Sequence, residues 1–219
     1  MRISRVIAAT FLLAGFLFGS MAWTENDDKY TPFLDHYPDL KQDPDGSGGL
    51  IYEKAEIDHC SYDKIMIEPI EVWMADDSKY KGFSPDVLNA VTDELYRSLE
   101  VNLEPEYPVV GEPGEGVVVI RLAITDVYGM KKKRGLLGYL PIAAVAGAMS
   151  GKYRRINLAD ATIEAEILDA QSLDRLGVLI DKLSVSRKGG DMSWEEVIGA
   201  LHFYAERFRA DIDVNHSDC

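Results

Sequence analysis

Residues 159–169 alternate in character with a period of two. Ala159, Ala161, Ile163, Ala165 and Ile167 fall on one side of an extended chain, while Asp160, Thr162, Glu164 and Glu166 fall on the other. That period belongs to a β-strand, whose successive Cβ atoms leave opposite faces. Residues 117–127 repeat it, with Val118, Ile120, Leu122 and Ile124 set against Val119, Arg121, Ala123 and Thr125. Strands of this kind build a sheet with one covered face and one wet face. Glu164 and Glu166 therefore read as the solvated side of a strand rather than as a catalytic carboxylate pair. Residues 175–185 supply a partner strand, and Asp169 to Asp174 form the hairpin turn between the two.

The cover for the apolar face is legible as two helices. Ser84 and Pro85 suit the cap and the first position of a helix, and Leu88, Val91, Leu95 and Leu99 follow at three-to-four spacing. Ser193 and Glu196 fit a capping box ahead of a second stripe, Val197, Leu201, Ala205, Phe208 and Ile212. The run Ile65 to Trp73 has strand composition, with Pro69 marking an edge position or a bulge. Tyr107 to Val110 is a short strand. The expected fold class is α+β: a mainly antiparallel sheet with two helices packed on one face, in the order β-α-β-β-β-β-α.

The chain divides readily. Arg2 and Arg5, the apolar run Val6 to Phe18 and the small residues up to Ala22 give residues 1–22 the layout of a secretory signal peptide. Phe16 stands where a lipoprotein leader ending Leu-Ala-Gly-Cys would carry its lipidated cysteine. Residues 23–63 are acidic and rich in Pro, Gly and Asp, an extended N-terminal arm without regular elements. Residues 64–212 form the single α+β domain, and 213–219 a frayed C-terminal tail. The chain is 47% apolar, enough for a real core, and its net charge of -14 argues against nucleic-acid binding. In an oxidising exported compartment Cys60 and Cys219 can pair. Spacing alone does not bring their Cα atoms into bridging reach, so a buried Cys60 with a free terminal thiol stands beside the disulfide as an alternative.

Three motifs resemble a known family: Tyr62 to Trp73, Asp43-Pro44-Asp45-Gly46 with Leu50-Ile51-Tyr52, and Phe83-Ser84-Pro85-Asp86. Together they are similar to the bacterial domain-of-unknown-function family 3313, from about Tyr37 to Arg209, most specifically around Trp73. The resemblance implies a Gram-negative cell-envelope protein, mostly lipoproteins among its members, with a small α+β domain and no assigned catalytic residues. Phe16 departs from the lipoprotein pattern and points to a soluble periplasmic form.

One segment reverses the sign of the chain. Lys131, Lys132, Lys133 and Arg134 lie before, and Lys152, Arg154 and Arg155 after, an apolar stretch from Leu136 to Met149 that includes Leu137 and Tyr139. Basic flanks around a short apolar centre suit an anionic membrane surface or an envelope partner protein. The bland reading is a crossover loop whose basic ends are merely solvated. His59-Cys60 and His216 with Cys219 hold two imidazoles and two thiols, a zinc-type donor set at no compact zinc spacing. Asp43 to Gly48 imitates the start of a calcium loop, but Lys54 occupies the position that needs a carboxylate. The Gly-x-Ser-x-Gly, P-loop and His-Glu-x-x-His patterns are missing. The sequence thus implies a non-catalytic exported envelope protein without a cofactor, binding a membrane surface or a partner through 131–155. The alternative is a periplasmic module for a small ligand or a metal.

Overall fold

A computed structural model of the chain describes residues 30–44, 48–78, 85–129, 156–158, 161–183, 194–217 and 219. In chain order the strands are β1 (Lys41–Gln42), β2 (Leu50–Glu53), β3 (Lys64–Ile67), β4 (Glu71–Met74), β5 (Val117–Gly129), β6 (Ile156–Asn157), β7 (Thr162–Asp169) and β8 (Arg175–Lys182). Helix α1 (Pro85–Leu103) lies between β4 and β5, and α2 (Trp194–Asn215) follows β8. The two positions read as helix caps, Ser84 and Ser193, lie outside the described residues, as do residues 1–29 with the expected signal.

The sheet runs β1-β2-β8-β7-β5-β3, with β4 and β6 also paired to β5. It is mostly antiparallel, as the alternation implies, and its parallel pairs are β3 and β4 against β5. Proline explains the split between β3 and β4. Pro69 has no N–H to donate, so the run read as one strand becomes two, both laid along the same partner. A parallel connection needs a crossover of a dozen residues or more, and α1 supplies it between β4 and β5. Gly116 sets the start of this arrangement. Its φ is +73°, and a Cβ there would sit 2.6 Å from Asp63 Oδ1. Its carbonyl accepts from the backbone N–H of Asp63 and Lys64.

The β7–β8 hairpin turns on Asp169, whose Oδ1 accepts from the backbone N–H of Gln171 and Ser172 at 3.0 and 2.6 Å. Of the short strand expected over 107–110, only a single parallel bridge forms, between Val109 and Ile65.

Both helices cover one face. Val91, Leu95, Leu99 and Leu103 of α1 and Val197, Leu201 and Ala205 of α2 are buried against Ile120, Leu122, Ile124 and Ile163. Arg209 joins the two helices at one end: its guanidinium donates to the carbonyls of Asn102 and Leu103, which end α1 without an intrahelical partner.

The arm corrects two expectations. Regular structure begins at Lys41 rather than Lys64, because β2 pairs antiparallel with β8 and extends the sheet. The opposite face is also not wet. Phe33 and Leu34 lie buried against Ala123 and Val178, with Tyr37, Leu40, Tyr52 and Trp73 around them. Glu164 and Glu166, read as solvated, are only 3% and 2% exposed. Alternation records which side chains share a face; it does not record which chain segment later covers that face. The tail is likewise pinned rather than frayed, since α2 runs to Asn215 and Cys219 is bonded to Cys60.

Candidate functional site

A cleft of about 440 Å³ opens where the helix-covered face of the sheet meets the C-terminal end of α2. Its floor is made by Ile65, Val118, Ile120, Ile167 and Leu179 of the sheet, and its roof by Phe208, Ile212 and Val214. Ile57, His59, Tyr62, Tyr107 and His216 close the sides. The stripe of α2 records the opening. Leu201 and Ala205 are fully buried, Phe208 nearly so, and Ile212 only partly.

Gly177 is a reason that the space exists. It pairs with Ile167 and lies on the same strand face as Leu179 and Asp181. Asp181 pairs with Arg207 of α2, so this face looks toward the helix. A Cβ at Gly177 would meet the Tyr52 carbonyl oxygen at 3.4 Å and Ile167 Cδ1 at 3.5 Å. A larger side chain there would continue into the cleft.

Two connections hold the cleft's mouth. The Cys60–Cys219 disulfide spans 159 residues, with the Cα atoms 5.4 Å apart, and ties the end of α2 to the turn His59–Ser61. His216 stands beside it, its Nδ1 and Nε2 each 2.9 Å from a carbonyl oxygen, of Ile212 and Tyr62 respectively. The rings of His59 and His216 are 6.3 Å apart. The two histidine–cysteine pairs singled out as a zinc-type donor set thus do come together, but their sulfurs are joined to each other. Thiolates, which zinc would require, are not what this arrangement offers.

The mouth is polar but internally bonded. Tyr62 donates to Asp169 at 3.0 Å and Tyr107 to Asp213 at 3.2 Å. Burial first, then the bonded carboxylate, raises the pKa of each phenol above its usual value. His59 is 2.9 Å from Glu53, and Lys64 is 2.5 Å from Asp63. Asp43, Asp211 and Asn215 also line the cleft, and the rest of its lining is largely aliphatic and aromatic.

The second polar cluster lies under the arm, on the other face. Glu166 is held by Arg121 at 2.5 Å and Arg175 at 2.6 Å. Arg121 stacks over the ring of Phe33, 5.3 Å from its centroid, and Arg175 donates to the carbonyl of His36. Glu164 accepts from Thr31 Oγ1 at 2.8 Å and from the Tyr37 hydroxyl. Every carboxylate here is committed to a partner from the arm or the sheet, so the cluster acts as a clamp on the arm.

Lys131, Lys132, Lys133, Arg134, Leu136, Leu137, Tyr139, Lys152, Arg154 and Arg155, the sequence candidates for membrane or partner contact, lie outside the described residues. Gly46 and Asp45 of the calcium-like loop do as well. Among the described residues no helix is long and apolar enough to cross a membrane. Phe208 and Ile212 were legible only as helix core, and nothing in the sequence set Tyr107 apart. Gly177 carried a usable signal, because a glycine inside a strand marks a bend or a close approach.

The family model described as "Protein of unknown function (DUF3313)" matches residues 29–208. An uncharacterized lipoprotein of Escherichia coli K12, YdcL, is 26% identical over 170 residues, covering 76% of this chain and 75% of the relative. The YdcL of Escherichia coli O157:H7 matches equally. Among solved structures, a PelC dodecamer from Paraburkholderia phytofirmans aligns with a TM-score of 0.35 at 10% identity, covering 72% of this chain and 96% of that one.

Proposed function

This chain belongs to the DUF3313 family of proteins of unknown function, and from that premise we propose that it is an exported, non-catalytic cell-envelope protein that holds a small, largely apolar molecule. The lipoprotein relative and the signal-like residues 1–22 support the envelope assignment. One observation carries the binding reading: the cleft between the sheet and α2. Its volume of about 440 Å³ falls within the roughly 300–1,000 Å³ of small-molecule sites, which are apolar with a few polar groups at their edges. The buried carboxylates support a structural role rather than a catalytic one, since Glu166 and Asp181 are taken up by arginines.

The test is binding of a neutral environment-sensitive dye, N-phenyl-1-naphthylamine, to the purified protein and to its Gly177→Val variant. The proposal expects saturable fluorescence enhancement that the valine reduces at least about tenfold, the loss of about 1.4 kcal/mol. Equal binding by both proteins would place the dye elsewhere and count against the cleft.

A second reading rests on the sign reversal across 131–155. That segment docks the protein on an anionic membrane surface or on an envelope partner. Replacing Lys131, Lys132, Lys133 and Arg134 with glutamine would abolish flotation with anionic vesicles, at about 1 kcal/mol per basic residue near such a surface. Unchanged flotation and partner capture would dismiss it.

A further inference from the structure

His216 makes more hydrogen bonds than a neutral imidazole can. Its Nδ1 and Nε2 each stand 2.9 Å from a carbonyl oxygen, of Ile212 and Tyr62 respectively, and all three residues line the cleft. A neutral imidazole carries one N–H; only the imidazolium donates from both nitrogens. Whichever nitrogen loses its proton turns a lone pair toward a carbonyl oxygen at that distance. The position in the fold favours the charge as well. His216 follows directly on Asn215, the last residue of α2, and the final turn of that helix holds no basic residue. A cation there meets the negative end of the helix dipole. The Cys60–Cys219 bond fixes where the tail ends, but the His216 ring ties the turn before it across the mouth to Tyr62.

The charged and titratable groups around the ring come from each neighbouring element. Tyr107, its ring 5.2 Å away, donates to Asp213 and lies under Arg209, which is itself paired with Asp213 and Glu106. His59, 6.3 Å away, pairs with Glu53, while Tyr62 donates to Asp169 and Lys64 pairs with Asp63. Asp211 of α2, itself engaged, also lines the cleft. Histidine is the side-chain type that changes charge between pH 5 and 8, so His59 is the neighbour that competes with His216 for a response in that range. Taking the cleft as the binding site, we infer that His216 is a proton-operated latch on its mouth. Charged, it ties the turn after α2 to Tyr62 and holds Ile212 and Val214 over the cleft. Neutral, it lets one carbonyl go, and the roof loosens. A guest is therefore held better at the lower pH and released as the pH rises through the histidine range, the coupling running equally from guest to proton.

Nitrogen NMR of the histidine-labelled protein tests the latch without any ligand. At about pH 5.5 both ring nitrogens of His216 should carry protons, and at about pH 8 one should be bare. Over that range the amides of His216 and Ser217, bonded to the carbonyls of Ile212 and Val214, should lose about fivefold in exchange protection. Affinity for the neutral dye should fall about fivefold as well. His216→Gln should flatten that pH profile, whereas His59→Gln should keep it. Unchanged protection while the ring titrates, or one pH profile shared by the wild type and His216→Gln, would overturn the latch. A turn that loosens with pH in a protein that binds no dye at either pH would uphold the latch and overturn the cleft reading.

Discussion

The two faces of the sheet are covered by different means although they share the same strands. On the helix side β7 presents Ile163 and Ala165, fully buried against α1 and α2. On the arm side the same strand presents Glu164 and Glu166, almost as deeply buried but held by Arg121, Arg175, Thr31 and Tyr37. Apolar burial is non-directional, so α2 can run past the end of its contact with the sheet and leave an open cleft there. A buried ion-pair network demands every partner in place, and on this side it adds fixed, directional contacts to the apolar packing of Phe33 and Leu34. The helix side leaves room for a guest, whereas the arm side locks the chain's own first segment in position.

The contrast is broken most severely at Glu166. Glu166→Ala leaves two guanidiniums facing each other under the arm. It should cost about 3–5 kcal/mol, toward the lower end because Arg121 and Arg175 keep 29% and 20% exposure. Replacing Arg121, Glu166 and Arg175 together with apolar residues of similar volume should cost much less, the mark of a network rather than of area. Leu122→Ala on the other face should cost about 3 kcal/mol by cavity formation, with no such rescue. Urea midpoints of the four proteins decide whether the two faces obey these different rules.

Removing the disulfide comes next. Cys60→Ser with Cys219→Ser should lower stability by about 2–3 kcal/mol and weaken dye binding at the same time, since the bond anchors one wall of the cleft. A stability loss with unchanged binding would separate the wall from the bond. Gly177→Val adds volume where a Cβ already meets the Tyr52 carbonyl oxygen at 3.4 Å and Ile167 Cδ1 at 3.5 Å; it should cost about 1 kcal/mol in urea and be visible chiefly in ligand affinity.

The smallest effect belongs to Asp169. The Ser172 backbone N–H first, and the Tyr62 hydroxyl and Gln171 N–H after it, hold its carboxyl below the ordinary value of 3.8. A folded pKa below the unfolded one means that the unfolded chain binds more protons. This contribution is therefore present above about pH 4 and lost as the pH falls through the folded value. Asp169 is only half-buried, so the effect is small and screened. Denaturation at pH 7 and pH 3 should show the wild type losing slightly more than Asp169→Asn; an identical loss would remove Asp169 from the account.

The sequence revealed the scaffold better than the site. Period-two strands, two apolar helical stripes and the Asp169–Asp174 turn depend on neighbouring residues, and each was legible locally. The arm's position was not, because Phe33, Arg121 and Glu166 meet only after distant segments fold together. The cleft was invisible for the same reason. It is defined by where α2's stripe stops touching the sheet, and Ile212 in the sequence looks no different from Leu201. Cys60 and Cys219 were legible as candidates, while the 5.4 Å separation of their Cα atoms belongs to the fold.

Chemical-shift mapping of the isotope-labelled protein during titration with the neutral dye would locate the guest residue by residue. A guest in the cleft perturbs the amides of Ile167, Gly177, Phe208, Ile212 and His216 and leaves Phe33, Tyr37 and Trp73 on the arm side unmoved. Perturbations centred on the arm side, or none at all under saturating dye, would contradict it.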